Sequence, residues 1–272
     1  MRVLCMLVAS FLLGACGGGG GGGNVNSSCP YSSCSSFESH TYAILRPATP
    51  TPQQSLVIFL HGREETREQT DALWAAQTFA TNNPAYTVAI PQGNANIWNF
   101  TSDVDWMFRF VNYLQTNEGP FRNVYLVGYS NGSILSQQVA CRQTGEITGV
   151  VSFAGPRLSE QPSPCSPTAP VAVSLIHGSA DQAVPIGGSY VWGTEGAQQS
   201  FDFWAAHNMC TGDIQTSAPF NLESNLMATT RSARNCQVPV ELTISNGGGH
   251  TPSWNVSVLH QTLIDFFERA RR

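Results

Sequence analysis

Lysine is missing from this sequence, and charge of any kind is scarce. All 13 basic residues are arginines, and charged residues make up 11% of the 272 residues, with a formal net charge of -5. Without lysine the chain cannot form a Schiff base through a lysine amine or bind phosphate through a P-loop lysine. The acidic balance and the lack of a basic run exclude the electrostatic surface that nucleic-acid binding requires.

The sequence also has no apolar run long enough to span a bilayer. Its first 16 residues place one arginine before a short apolar segment, which is typical of an export signal. The segment ends in LGAC (13–16), which resembles the lipobox of bacterial lipoproteins, and the resemblance implies that Cys16 carries lipid. An ordinary secretory signal is the alternative. We therefore predict a signal peptide at residues 1–15 and an exported protein, either secreted or held by lipid on a bacterial membrane, in the periplasm or on the cell surface.

A run of seven glycines follows at residues 17–23 and has no side chains to pack, so it predicts a flexible tether. We assign residues 16–28 to the lipidated cysteine and the Gly-rich tether. Residues 29–272 are assigned to one folded domain, since 42% of the chain is hydrophobic and no second domain boundary is visible.

Six of the eight cysteines remain for pairing once Cys5 leaves with the signal peptide and Cys16 is assigned to lipid, and export to an oxidising compartment favours disulfides. Six cysteines allow many connectivities, and spacing alone does not choose among them. Our working hypothesis pairs sequence neighbours: Cys29–Cys34, Cys141–Cys165 and Cys210–Cys236. Because these cysteines show no C-x-x-C pair and no histidine at ligand spacing, we predict no metal site and no cofactor.

Two kinds of segment alternate from about residue 40 onward. Apolar runs that end in Gly, Pro or polar residues are typical of buried parallel strands, and apolar residues near i, i+3 and i+4 are typical of helices. The predicted strands are 55–62, 86–93, 123–130, 149–156, 171–178 and 239–247, and the predicted helices begin near residues 69, 103, 131, 200 and 256. This alternation predicts a single α/β domain with a mostly parallel central sheet covered by helices on both faces.

A candidate nucleophile lies directly between a predicted strand and a predicted helix, in the pentapeptide Gly128-Tyr129-Ser130-Asn131-Gly132. A G-x-S-x-G sequence in this context encodes a sharp turn that lifts the serine hydroxyl out of the sheet. The flanking glycines are needed because neighbouring chain segments come too close for side chains. The motif predicts Ser130 as the nucleophile; an ordinary turn with a surface serine is the alternative.

A serine hydroxyl is a weak nucleophile at neutral pH and needs a histidine base oriented by a carboxylate. In this arrangement the acid and then the histidine follow the serine, each on a loop after a later strand. Asp181 follows strand 171–178, and His250 follows strand 239–247 and a glycine-rich turn, so we predict these two residues as acid and base. Five further residues are weaker candidates because they lie in helical patterns, in a cysteine-flanked loop or ahead of the strands: Asp202, Asp213, His207, His260 and His40.

Acyl transfer also needs N–H donors aimed at the developing oxyanion. One predicted donor is the backbone N–H of Asn131, which follows the nucleophile and starts a helix. The other is the backbone N–H of Arg63, in the loop after strand 55–62. His61 is predicted to fix this loop through its ring.

Four segments together resemble a known family: LVIFLHG, GYSNG, LIHGSADQAVP and GGGHTPSW, in that order. They look like the α/β-hydrolase esterases of the polyhydroxybutyrate depolymerase, feruloyl esterase and acetylxylan esterase group, over about residues 40 to 270. The resemblance implies the α/β-hydrolase fold, with Ser130, Asp181 and His250 as a catalytic triad. It also favours the bridges Cys141–Cys165 and Cys210–Cys236.

The chain departs from this group at two places near the predicted site. Charged residues follow the His-Gly motif at Arg63, Glu64 and Glu65, where the group often has a small residue or cysteine. After the predicted base, Pro252 replaces a common tryptophan and Trp254 stands two places later. The substrate of the group is therefore not carried over to this chain.

These observations predict an exported serine esterase that hydrolyses carboxylic esters through an acyl-enzyme, with acylated plant polysaccharide or polyhydroxyalkanoate as candidate substrates. A serine peptidase of the same fold and a non-catalytic surface lipoprotein that binds a glycan or a partner are the alternatives. An ester is the expected partner, with membrane contact through the N-terminal lipid only. The candidates to line the pocket are Tyr129, Trp98, Trp254 and Arg63, and for the two tryptophans packing in the core is an equal alternative. We predict that three other tryptophans belong to the core: Trp106, Trp192 and Trp204.

Overall fold

The computed structural model describes residues 29–160 and 165–271. The predicted signal peptide, Cys16 and the tether lie outside the described residues. Within the described ranges, no helix has both the length and the apolar character needed to cross a bilayer.

Eleven strands of the described chain form one mixed sheet. In chain order they are β1 (Ser33–Phe37), β2 (His40–Leu45), β3 (Ser55–Leu60), β4 (Tyr86–Pro91), β5 (Val124–Tyr129), β6 (Gly149–Phe153), β7 (Ala172–Gly178), β8 (Gly212–Thr216), β9 (Phe220–Glu223), β10 (Leu226–Arg234) and β11 (Val240–Ser245). Their order across the sheet is β1-β2-β4-β3-β5-β6-β7-β11-β10-β8, and β9 pairs with β10. The six central strands, from β4 to β11, run parallel and coincide with the six predicted from sequence. The predicted α/β fold class is confirmed.

Helices cover both faces of this sheet because its central strands are apolar on both sides. Along β5, for example, Leu126 faces one apolar layer and Val127 faces the other. The helices of the first layer are α3 (Ser102–Asn117), α4 (Asn131–Arg142) and α5 (Ala197–His207), and those of the second are α1 (Arg67–Trp74), α2 (Ala76–Asn82) and α6 (Val256–Ala270).

The predicted helix near residue 69 is two helices. Ala75 adopts a left-handed backbone conformation with φ of 46°, and its N–H bonds to the Asp71 carbonyl, which ends α1 and starts α2. Both Trp74 and Phe79 are fully buried on either side of this break. The apolar spacing correctly predicts helical structure on both sides of Ala75, but no residue pattern indicates that an alanine adopts a left-handed conformation.

Five antiparallel strands at the two ends of the sheet were not predicted. They include β2, which begins at His40, and β8, which carries Asp213, so His40 does not precede the strands and Asp213 does not lie in a loop. β8 exposes most of its side chains, and β10 is mostly half-buried. Strands of this kind lack the apolar runs from which the central strands were recognised.

The structure pairs the six cysteines as Cys29–Cys34, Cys141–Cys165 and Cys210–Cys236, in agreement with the working hypothesis. The second bridge joins the end of α4 to the segment ahead of β7. The third joins the end of α5 to the segment between β10 and β11. The second and third bridges thus each tie the end of a helix to the segment that precedes a central strand.

Removing the Cys141–Cys165 bridge is expected to destabilise the fold. It closes a loop of sequence separation 24, whereas Cys29–Cys34 closes one of 5. The double substitution Cys141→Ala/Cys165→Ala should lower the free energy of unfolding by about 3 kcal/mol, and Cys29→Ala/Cys34→Ala by about 2 kcal/mol. Urea unfolding under non-reducing conditions measures both. An unchanged unfolding midpoint in the first variant would contradict a structural role for this bridge.

Candidate active site

The turn between β5 and α4 holds Ser130 in a strained conformation. Ser130 has φ of 51° and ψ of -114°, outside the regions that most side-chain-bearing residues adopt. A Cβ on Gly128 would lie 2.3 Å from the Gly132 carbonyl oxygen, and one on Gly132 would lie 2.5 Å from the His61 carbonyl oxygen. Only glycine fits at these two positions, so the motif spacing follows from close backbone packing.

Ser130 belongs to a hydrogen-bonded chain of three side chains that come from three different loops. Ser130 Oγ lies 2.9 Å from His250 Nε2, and His250 Nδ1 lies 2.8 Å from Asp181 Oδ2. An ionised carboxylate only accepts hydrogen bonds, so His250 carries its proton on Nδ1 and its Nε2 accepts from the serine hydroxyl. The structure therefore brings together the three residues that the sequence singled out.

The carboxylate of Asp181 is fully enclosed and has several donors. Its Oδ1 accepts the N–H groups of Ala183 and Val184, each at 2.9 Å. Burial opposes ionisation, but hydrogen bonds from His177, His250 and Val184 outweigh it and hold the pKa of Asp181 well below its usual value. Asp181 is thus an anion at any pH near neutrality.

His177 was not singled out from the sequence. It lies near the end of β7 with its ring buried, donates from Nε2 to the Val184 carbonyl at 2.8 Å, and lies 3.5 Å from Asp181 Oδ2. Its only sequence signal is a histidine at the end of a buried strand, four residues before a candidate acid. It holds the loop that carries Asp181.

The loop that carries His250 packs directly against the Asp181 loop. Ala180 donates its N–H to the Gly248 carbonyl at 2.8 Å. A Cβ on Gly178 would lie 2.3 Å from the same carbonyl oxygen, which leaves room for glycine alone. This contact between the ends of β7 and β11 sets the distance between acid and base.

The chain is similar to known proteins in sequence over part of its length and in fold over most of it. Residues 99–194, which include Ser130 and Asp181, match a family model described as Phospholipase/Carboxylesterase. NocK, a candidate esterase of Nocardia uniformis subsp. tsuyamanensis, is 29% identical over 160 residues, which cover 52% of this chain and 44% of NocK. The fold is similar to that of acetyl xylan esterase from Aspergillus awamori, with a TM-score of 0.63, 12% identity and coverage of 85% of this chain and 94% of that one. Est1E from Butyrivibrio proteoclasticus, in a structure with ferulic acid bound, superposes with a TM-score of 0.53 and 12% identity over 85% of this chain and 95% of that one.

The protein has the α/β-hydrolase fold. The predicted resemblance to the α/β-hydrolase esterases is confirmed by these matches. Since the chain spans less than half the length of NocK, its activity is taken up below as a proposal.

The two predicted oxyanion donors lie on adjoining segments. Asn131 is the first residue of α4, where backbone N–H groups have no partner within the helix. A Cβ on Gly62 would lie 2.9 Å from the Tyr129 ring, so the loop that carries Arg63 packs against the Ser130 turn. The side chain of Asn131 holds a third segment, because its Oδ1 accepts the Trp98 N–H at 2.7 Å.

The ring of His61 fixes the direction of the Arg63 N–H. His61 Nε2 accepts the Gly93 N–H at 2.8 Å, so Nδ1 carries the proton and donates to the Gly62 carbonyl at 2.7 Å. The N–H and C=O of one trans peptide point in opposite directions. A fixed Gly62 carbonyl therefore fixes the N–H of Arg63, in agreement with the structural role predicted for His61.

Acid is expected to destabilise the protein through His61. Burial lowers the pKa of His61 from 6.5 to about 4. Between these two pH values the ring is therefore neutral in the folded protein and protonated in the unfolded chain. Stability from this group is present above pH 6.5 and is lost as pH falls toward 4, by up to about 3 kcal/mol. Urea unfolding from pH 7 to pH 4 should show this slope in the parent and a smaller one in His61→Asn. The buried His260, whose pKa is also lowered, contributes to the slope of both proteins, so the difference between the two slopes reports His61 alone. Equal slopes would contradict the assignment.

The three charged residues after His61 take different positions. Arg63 and Glu64 are exposed and pair with each other at 3.2 Å. Glu65 turns inward and accepts the Gly62 N–H at 2.8 Å. Burial raises the pKa of Glu65, partly offset by the Gly62 hydrogen bond and the charge of His250. One carboxylate therefore lies beside the predicted oxyanion loop and the other two charges face solvent.

The aromatic candidates for the pocket are buried or half-buried. Trp98 is buried and donates from Nε1 to the His61 carbonyl at 3.0 Å, and Trp254 packs on Trp74 and Phe153. Tyr129 is also buried, with its ring 5.3 Å from that of His250. These contacts favour core packing for both tryptophans.

The expectation for the other tryptophans holds for two of the three. Trp106 and Trp204 are buried as predicted. Trp192 is 41% exposed, so its assignment to the core was wrong. It lies in a loop between β7 and α5, where no helical or strand periodicity indicated which way its side chain faces.

The antiparallel end of the sheet also supports the site, through a residue that the sequence did not indicate. Glu223, at the end of β9, is buried and accepts the Ser253 N–H through Oε2 at 3.2 Å. Ser224 and Asn255 add backbone hydrogen bonds between β9 and the segment after His250. The loop that carries the predicted base is thus held from both β7 and β9. Among the described residues, no group of three or more His, Cys, Asp or Glu side chains is arranged to hold a metal ion.

Proposed function

We propose that this protein is a serine esterase that hydrolyses carboxylic esters through an acyl-enzyme. The observation that carries the proposal is the hydrogen-bonded chain from Ser130 through His250 to the ionised Asp181. It stands on a strained turn at the carboxyl end of β5, where α/β hydrolases place their nucleophile. The matches to an esterase family and to NocK support ester chemistry.

The reaction proceeds in two displacements at the ester carbonyl. As Ser130 Oγ attacks the carbonyl carbon, His250 Nε2 takes the hydroxyl proton, and the N–H groups of Arg63 and Asn131 bind the oxyanion. His250 then gives this proton to the departing alcohol, and the acyl group remains on Ser130. A water molecule, deprotonated by His250, releases the acid and restores the serine. Asp181 holds the useful histidine tautomer throughout.

The proposed substrates are acyl groups on plant polysaccharide or polyhydroxyalkanoate. Similarity of fold to an acetyl xylan esterase and to a protein with bound ferulic acid is compatible with the first of these. We also propose export, because three disulfides suit an oxidising compartment outside the cytoplasm. Lipid on Cys16 belongs to the same proposal.

Active-site labelling together with initial rates tests the activity. Purified protein is treated with a fluorophosphonate probe and assayed on p-nitrophenyl acetate, p-nitrophenyl butyrate and methyl ferulate, with Ser130→Ala in parallel. We expect labelling at Ser130 and turnover of at least one ester, both absent in the variant. Labelling without turnover of any ester would contradict the esterase and favour a peptidase. A folded protein that is neither labelled nor active would favour the non-catalytic binding protein.

A further inference from the structure

Three consecutive apolar side chains project from the loop between β7 and α5. Tyr190 is 101% exposed, Val191 82% and Trp192 41%, whereas side chains of this size are mostly buried. We call these three residues the apolar lip. A contiguous exposed apolar group on a soluble domain usually marks a surface that something else covers.

The apolar lip is held in a defined position. Ser189 and Thr194 exchange a pair of backbone hydrogen bonds at 3.0 Å across the base of the loop. Gly193 closes the turn with φ of 65°, and its carbonyl accepts the Ser159 N–H at 2.7 Å. The apolar side chains are therefore presented to solvent by an ordered hairpin.

The apolar lip stands at the rim of the candidate active site. Trp192 Nε1 donates to the Ala183 carbonyl at 2.7 Å, and the N–H of Ala183 donates to Asp181 Oδ1. On its other side, the guanidinium of Arg63 lies 5.7 Å from the centre of the Trp192 ring. Trp192 thus connects the loop of the proposed acid with the loop of a proposed oxyanion donor.

We propose that the apolar lip docks this protein on the surface of a water-insoluble lipid ester, from which the substrate enters the site at Ser130. The inference rests on the proposed ester hydrolysis and adds a substrate class to the candidates given above, an acylglycerol in a condensed phase. The enzyme would thus act on esters at a lipid surface and not only on dissolved ones.

The chemistry of the apolar lip fits a lipid surface. Tyrosine and tryptophan have an apolar body and a polar tip, and arginine places its charge in water beside an apolar stem, which are the properties of residues at a lipid–water boundary. Here Tyr190 and Trp192 flank an aliphatic residue, with Arg63 next to them. Val191 and the exposed parts of the two rings would enter the lipid, while the Tyr190 hydroxyl stays in water and Trp192 Nε1 keeps its hydrogen bond to the Ala183 carbonyl.

A protein partner fits the same surface less well. Stable protein interfaces cover about 800 Å² on each partner, more than three side chains provide. A protein seated on the rim would also stand between solvent and Ser130. A substrate phase has the opposite effect, because docking brings esters to the entrance of the site.

Binding and turnover on emulsified tributyrin test the proposal separately. The full chain carrying Cys16→Ser, which cannot be acylated, is compared with the same chain carrying Tyr190→Ser and Val191→Ser. A matched control carries Met209→Ser and Ile214→Ser, two exposed apolar residues at the far antiparallel end of the sheet. Binding is measured by co-flotation with the emulsion in a Ser130→Ala background, and turnover on tributyrin and on dissolved p-nitrophenyl acetate in the active background.

We expect the lip variant to lose about tenfold or more in emulsion binding and tributyrin turnover, with less than about twofold change on the dissolved ester. The control variant should match the parent in all three measurements. Equal losses on both substrates, or no loss on either, would overturn the proposal. If co-sedimentation with solid polyester particles is lost in the lip variant while emulsion binding is kept, a polymer surface replaces the lipid. If size-exclusion chromatography shows a dimer that only the lip variant disrupts, a second copy of the chain replaces it. Because binding is measured without turnover, an inactive parent that still floats with the emulsion would overturn the esterase and not the docking.

Discussion

Replacing Ser130 with alanine is expected to lower kcat on a dissolved ester by on the order of 10⁴-fold or more. The change removes the atom that forms the acyl-enzyme, so the oxyanion donors and substrate binding alone remain. It removes one hydroxyl from a half-buried position and leaves the backbone turn unaltered, because the conformation at φ of 51° is held by the packing of Gly128 and Gly132. The unfolding midpoint should therefore stay close to that of the parent.

Two further variants show whether the loss of activity is specific to the nucleophile and its base. Ser257→Ala removes an exposed hydroxyl at the start of α6 that donates to the Asn255 side chain, and it should leave kcat unchanged. His250→Ala removes the base and should cost about as much as Ser130→Ala, because groups that act as a unit are not additive. The double variant should then be no worse than either single one. Full activity of Ser130→Ala on any ester would refute the assignment of the nucleophile.

The parts of the site that lie on parallel strands could be predicted from sequence. Each of β5, β7 and β11 is an apolar run that ends in glycine or a polar turn, and parallel strands deliver their carboxyl ends to one edge of the sheet. Ser130, Asp181 and His250 follow these three ends in the required order. Their meeting in the structure is a consequence of topology, which the strand pattern already specified.

The supporting residues were not predictable in the same way. Glu223 acts from β9, a short strand with no apolar run, on a segment 30 positions further along the chain. His177 looked like one polar residue at a strand end, and its contact with the Asp181 loop depends on how that loop folds back. Trp192 is a large aromatic residue, so composition favoured the core, and only the hairpin geometry turns it outward. These residues depend on tertiary contacts, which local pattern and propensity do not encode.

Replacing Asp181 with asparagine is expected to lower kcat by about 10⁴-fold with little loss of stability. Oδ1 of Asp181 accepts two backbone N–H groups, from Ala183 and Val184, so the asparagine oxygen must stay at that position. The amide nitrogen is then directed at His250 Nδ1. A donor there forces Nδ1 to act as acceptor and places the histidine proton on Nε2, facing the serine hydroxyl. The base is present but in a tautomer that cannot accept the Ser130 proton.

The pH dependence separates this explanation from a simple loss of charge. Because the pKa of Asp181 lies well below its usual range, the parent carries this anion throughout the range near neutrality, and its titration adds no step to the profile of kcat there. In Asp181→Asn, raising the pH should recover part of the activity, since hydroxide can accept the serine proton in place of the imidazole. Asp202→Asn, on the exposed face of α5, is the matched control and should behave as the parent. If both substitutions left kcat unchanged, the orientation of His250 would have to come from elsewhere, and the His177 contact with the Asp181 loop would have no catalytic consequence.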